Sequence, residues 1–138
     1  MLDSYYRAFI AEQRYLMYLD GLKMTLLVSL LAIILGVALG TILALMRMTA
    51  ERRGKSTLLS KIAYVYIDII RGTPTVTQLL IMYFVVLKGV DGLIVGTVTF
   101  GLNSAAYVAE IIRAGILAVD HGQMEGGRAL GLSYGQTM

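Results

Sequence analysis

No charged residue occurs between Lys23 and Arg47. The run they enclose, MTLLVSLLAIILGVALGTILALM, is longer than the roughly 20 apolar residues that carry a helix across a ~30 Å hydrocarbon core. It is too long for the apolar centre of a secretory signal, and its positive charges follow rather than precede it. A retained spanning helix over 24–46 is expected, and this constrains the fold more than any other feature. Composition agrees: 57% of residues are hydrophobic and 15% charged, where a soluble domain has about 25% charged.

Charge sets the orientation. Arg47, Arg52, Arg53, Lys55 and Lys61 crowd one short connection, opposed only by Glu51. The positive-inside rule puts that connection in the cytoplasm. The net charge of +3 therefore belongs to membrane flanks and does not imply nucleic acid. Upstream, residues 1–22 cluster Tyr5, Tyr6, Phe9, Tyr15 and Tyr18, as expected of an outer interfacial segment.

The second apolar segment, over 62–87, is interrupted by Asp68 and Arg71 and then by Gly72-Thr73-Pro74, which holds the chain's single proline. Proline removes a backbone donor and clashes with the preceding turn, and it drives Thr73 out of helical geometry. A kink or break at Gly72–Pro74 follows, tolerable at membrane depth only where protein or a water-lined cavity satisfies the freed backbone. A third segment over 93–116 carries Asn103, Ser104, Tyr107, Glu110 and Arg113. The fold expected is an all-α membrane protein with three transmembrane helices, the N-terminus outside and residues 117–138 in the cytoplasm. Gly36 and Gly40 form a G-x-x-x-G spacing that suits close packing within such a bundle or, alternatively, a dimer contact.

Ionisable groups inside spanning segments are functional candidates by default. At 1.5 Å per residue Arg71 lies roughly 14 Å in from Ile62, and Asn103 roughly 15 Å in from Leu93, both near the midplane. Two readings stand. Asp68 pairs with Arg71 at the i, i+3 spacing and merely neutralises it, with Asn103 and Ser104 bonding neighbouring helices. Alternatively, Arg71 and the broken helix line a path for a polar solute, as discontinuous helices do in transporters. Glu110 either partners Arg113 or faces that path. No nucleophilic triad or catalytic carboxylate pair can be assembled. With no cysteine and a single histidine, His121, no metal site is expected either. RRGKST (52–57) lacks the first glycine of a phosphate loop.

The tail, 120–138, reads DHGQMEGGRALGLSYGQTM. Asp120 with Gln123, and Ser133 with Gln136, have capping-box spacing, and Gly131 is placed to end the first helix in a left-handed conformation. A cytoplasmic helix–turn–helix is expected.

EGGRALG (125–131), RGTPTVTQLLIMYF (71–84) and LNSAAYVAEIIRAGI (102–116) together resemble the permease subunits of bacterial ATP-binding-cassette importers, in the polar amino-acid branch that serves histidine, glutamine and arginine. The resemblance implies the N-terminal part of a five-helix permease fold in the bacterial inner membrane. Its partners would be two cytoplasmic ATP-binding subunits, an extracytoplasmic solute-binding protein and a second permease subunit, in a homo- or heterodimer surrounded by lipid. This chain would bind no cofactor and perform no catalysis, with ATP and Mg on the partner ATPase. By position, Glu125, Gly126, Gly127, Arg128, Ala129 and Gly131 would form the ATPase-coupling loop. Asp68, Arg71, Thr73, Pro74, Asn103, Ser104 and Glu110 would lie along the substrate path. Gly126 and Gly127 replace two alanines of the family signature, and the signature's continuation into an Ile-x-Leu-Pro stretch and two more helices is not present, so a C-terminally truncated permease is expected. Outside the resemblance, a small helical membrane scaffold or regulator, or a permease for another small polar solute, remain the alternatives.

Overall fold

The computed structural model describes residue 6, residues 13–53 and residues 57–137. The N-terminal interfacial segment therefore lies largely outside the described residues, as does part of the basic connection. Among the described residues all regular structure is helical. α1 spans Arg14–Arg53, α2 Leu58–Gly72, α3 Thr75–Ile81, α4 Gly92–Leu117, α5 His121–Ala129 and α6 Tyr134–Thr137. A π-helical turn, Met82–Val86, continues α3. Two helices are long and apolar enough to cross a membrane, and a third crossing exists if α2 and the α3 unit form one span bent by 104°.

α1 has 40 residues, about 60 Å at 1.5 Å per residue. It begins well before the apolar run, at Arg14, so Tyr15 and Tyr18 are already helical. α4 packs beside it in the same direction: Gly96 meets Val28, Gly36 meets Ser104, and Gly40 meets Val108. Two parallel neighbours require the stretch between them to return the chain to the side where α1 began. The bent α2–α3 unit makes that return.

The α1–α4 contact is made by small residues. A Cβ on Gly40 would lie 2.7 Å from the Val108 Cβ and 2.9 Å from the Ala105 carbonyl oxygen. One on Gly36 would lie 2.7 Å from the Ser104 Cβ. The G-x-x-x-G pair is thus used inside the chain. Ala44, Ile67, Ala106 and Ala109 form the buried cluster that joins α2 to this pair, flanked by Leu43, Tyr66, Ile70 and Ile112. Large apolar side chains such as Leu26, Leu30, Ile34 and Ile111 face outward, the arrangement a bilayer permits because its tails are as apolar as leucine.

The break falls where proline chemistry requires. α2 ends at Gly72, Thr73 is extended (φ −109°, ψ 139°) and Pro74 precedes α3 at φ −60°, ψ 134°. The start of α2 is fixed by a full capping box, Thr57 with Ser60.

Candidate functional site

The C-terminal face of α2 meets α1 and α4 in a cleft of about 490 Å³ lined by Arg47, Tyr64, Asp68, Arg71, Tyr107 and Glu110. Glu110 is its organising residue. Its carboxylate accepts from Arg47 Nη1 at 2.6 Å and from Arg113 Nη2 at 2.5 Å. Arg71 Nη1 stands at the looser distance of 3.9 Å. Thus α1, α2 and α4 each contribute one guanidinium to a single carboxylate. An unpaired ion at this depth is costly, and Glu110 holds the cluster together.

Two tyrosines complete the walls. The Arg47 guanidinium lies 5.4 Å from the Tyr64 ring centroid, and that of Arg71 lies 5.5 Å from the Tyr107 ring. Both are within cation–π range. Arg71 is the most accessible cation of the three, its side chain 42% exposed against 19% for Arg47 and 21% for Arg113.

This differs from the pairing that sequence spacing suggests. Among the described residues Asp68 and Arg71 form no ion pair. Asp68 is exposed on the cleft wall, while Arg71 reaches across to α4. Nor does Arg71 stand level with Asn103. It faces Glu110, one and a half to two turns further along α4, or about 10 Å at the helical rise. Glu110 combines both roles left open above, since it binds Arg113 at i, i+3 and also lines the cleft.

Asn103 serves the break instead. Its Nδ2 donates to Gln78 Oε1 at 3.2 Å, and Gln78 Nε2 lies 2.7 Å from the Ile70 carbonyl and 3.1 Å from the Thr73 carbonyl. The Thr73 hydroxyl donates to the Ile69 carbonyl at 2.5 Å. Ser104 lies away from the cleft, against Gly36 and at the edge of a separate apolar groove with Phe100 and Val28. Asp68, Arg71 and Glu110 are therefore brought together, Asn103 joins Thr73 and Pro74 at the break through Gln78, and Ser104 stands apart. The participants not singled out from the sequence as site residues include Arg47, Tyr64, Tyr107 and Gln78. The signal for Gln78 was present, as an uncharged polar residue one turn after proline inside an apolar run.

The tail forms a compact hairpin. Asp120 caps α5 by accepting from the Gly122 N–H at 2.6 Å. At the other end the Leu132 N–H donates to the Gly127 carbonyl and the Gly131 N–H to the Arg128 carbonyl, with Gly131 at φ +83°. This is the Schellman arrangement, in which glycine takes the left-handed position. Gln136 accepts from the Ser133 N–H at 3.0 Å and starts α6. Glu125, Arg128 and Ala129 are exposed along α5, and Leu130 is 83% exposed at the turn. Gly127 packs against the Thr137 side chain, whereas a Cβ on Gly126 would meet open space.

Residues 36–138 match the family model described as binding-protein-dependent transport system inner membrane component. The arginine transport system permease protein ArtQ of Bacillus subtilis is 44% identical over 124 residues, covering 87% of this chain and 54% of that protein. The putative glutamine transport system permease protein GlnP of Rickettsia prowazekii is 39% identical, covering 85% of this chain and 53% of its own length. A crystal structure of an amino acid ABC transporter with histidines superposes with a TM-score of 0.78 at 39% identity, over 94% of this chain and 60% of that one. The chain thus spans about half the length of the curated relatives it matches.

Proposed function

Because the chain belongs to the family of binding-protein-dependent transport system inner membrane components, we propose that it acts as the membrane-spanning part of an ATP-driven importer of polar amino acids. The relatives' names, which include arginine and glutamine permeases, support that cargo class. Members of this family are permease subunits without catalysis of their own. Hydrolysis of ATP would fall to two cytoplasmic partner subunits, and delivery of solute to an extracytoplasmic binding protein. A second permease subunit would complete the pathway.

One observation carries the reading at the level of residues. Arg71 emerges from a proline-broken span into a cleft, half-exposed, and holds Glu110 only at 3.9 Å. Glu110 is already bound more closely by Arg47 and Arg113. A solute carboxylate can therefore take Arg71 without leaving Glu110 unpaired. Tyr64 and Tyr107 supply flat walls for the remainder of the solute. The exposed α5, with Glu125, Arg128 and the protruding Leu130, is the docking element for the ATP-binding subunit, on the cytoplasmic side given by the basic connection. Solute would cross by alternating access as that docking element moves α4.

The test is ATP-driven uptake into proteoliposomes that hold the permease assembled with its ATP-binding subunits and fed by its binding protein. Labelled arginine, glutamine and histidine are supplied in turn. Uptake of at least one is expected, with competition by free amino acids and none by the corresponding amines that lack the carboxylate. Equal competition by those amines would overturn the carboxylate assignment. Glu125→Lys should uncouple ATP hydrolysis from uptake, and unaltered coupling would overturn the docking role of α5.

A further inference from the structure

Gln78 takes no part in the cleft, yet one side chain there meets both halves of the broken span and α4. In a continuous helix the amide of residue 74 would donate to the Ile70 carbonyl. Pro74 has no such donor, so at membrane depth that carbonyl needs another partner. Gln78 Nε2 lies 2.7 Å from that same carbonyl. It also lies 3.1 Å from the Thr73 carbonyl and 3.1 Å from the Thr73 hydroxyl. The other end of the amide, Oε1, accepts from Asn103 Nδ2 of α4.

Gln78 sits on the first turn of α3, fixed by its own N–H to the Pro74 carbonyl at 3.1 Å. A side chain that leaves α3 and bonds the last carbonyls of α2 sets the angle between them, because both ends of the bridge are rigid helix. The remaining contact makes that angle dependent on where α4 holds Asn103. We propose that Gln78 is a positioning residue, a latch that supplies the donor missing at Pro74, fixes the bend of the broken span and ties it to α4 through Asn103. Displacement of Asn103 then loosens the bend at its weakest point, while the α1–α4 contact is left intact. The latch rests on backbone satisfaction alone and holds whatever solute the cleft takes.

The chain has no cysteine of its own, so spin labels can be placed singly. Val65 on α2, Val85 beyond α3 and Ile111 on α4 are all exposed. In phospholipid nanodiscs the Val65→Cys/Val85→Cys pair should give one narrow distance. Gln78→Met keeps the length and removes the amide, and should broaden that distribution about twofold or more. Gln78→Glu keeps an acceptor for Asn103 but offers no donor in its ionised form, and should broaden it equally. Asn103→Ala should broaden this pair by less than Gln78→Met does, and should broaden the Val85→Cys/Ile111→Cys pair as well. Adding Pro74→Ala to Gln78→Met restores a backbone donor to Ile70, and should restore a narrow distance with a longer mean. Where Gln78→Met fails to accumulate in membranes, Pro74→Ala should restore its accumulation. An unchanged distribution in Gln78→Met, or no rescue by Pro74→Ala, would overturn the proposal. So would an Asn103→Ala variant in which neither pair changes.

Discussion

The α1–α4 pair and the α2–α3 span occupy the same apolar setting and hold themselves together in opposite ways. Between α1 and α4 the contact, apart from the Arg47–Glu110 pair near its end, is made mainly of small residues packed so closely that a methyl added at Gly36 or Gly40 has no room. The α2–α3 span lacks such a surface. It is broken by Pro74, and its freed carbonyls are met by Gln78 and Thr73. Charged groups gather beside that break, where Arg71 faces Glu110. Close packing gives one arrangement and resists change. A span held by a few side-chain hydrogen bonds has low local stability, the kind from which moving elements are drawn.

The largest effect should come from the residue shared by both regions. Glu110→Ala leaves Arg47, Arg71 and Arg113 facing one another without their carboxylate. Removing one partner of a buried pair costs 3–5 kcal/mol, and with the Glu110 side chain 22% exposed the loss should sit near the lower figure, about 3 kcal/mol. Unfolding titrations in mixed detergent micelles would read it, and an unchanged midpoint would remove Glu110 from its organising position.

Glycine substitutions separate the two regions directly. Gly40→Ala should cost about 1–3 kcal/mol by overpacking, since the new Cβ meets the Ala105 carbonyl, which has no freedom to turn aside. Gly72→Ala at the end of α2 has nothing within 4 Å of its Cβ and should change stability by about 0.5 kcal/mol or less. Equal costs would erase the contrast between a packed and an open helix.

A smaller effect is expected at a hydroxyl that joins the regions. Tyr66 donates to the Leu102 carbonyl at 2.8 Å. Tyr66→Phe should cost about 0.6 kcal/mol, the mean for such bonds between membrane helices, measurable by the same titration.

Much of this arrangement was legible in the sequence where the determinant is local. The apolar runs over 24–46 and 93–116 lie inside α1 and α4, because helix is the one way an open segment satisfies its backbone in lipid. Pro74 and Gly131 act through their own dihedral limits, so the break and the tail turn fall where those residues stand. The pairing of Arg71 did not follow from spacing. The i, i+3 rule offered Asp68, but a long guanidinium side chain reaches whichever carboxylate the neighbouring helices present, and that was Glu110. Arg47 read as one more cytoplasmic cation because its neighbours in sequence are basic. Its role depends on α1 and α4 running in parallel, which brings it beside Glu110. The early start of α1 at Arg14 was hidden because apolarity marks where lipid begins, while a helix continues past it into water.

The polar route proposed for the solute follows the broken span and leaves the small-residue contact between α1 and α4 closed to water. Single cysteines at Asp68, Gly72 and Tyr107, compared with single cysteines at Ala32, Ala44 and Ala105, test it by reaction with a membrane-impermeant charged thiol reagent applied to both faces of reconstituted vesicles. Rapid modification of the first three positions and protection of the last three are expected. Modification of Ala44→Cys and Ala105→Cys with Asp68→Cys and Tyr107→Cys left unreacted would contradict it.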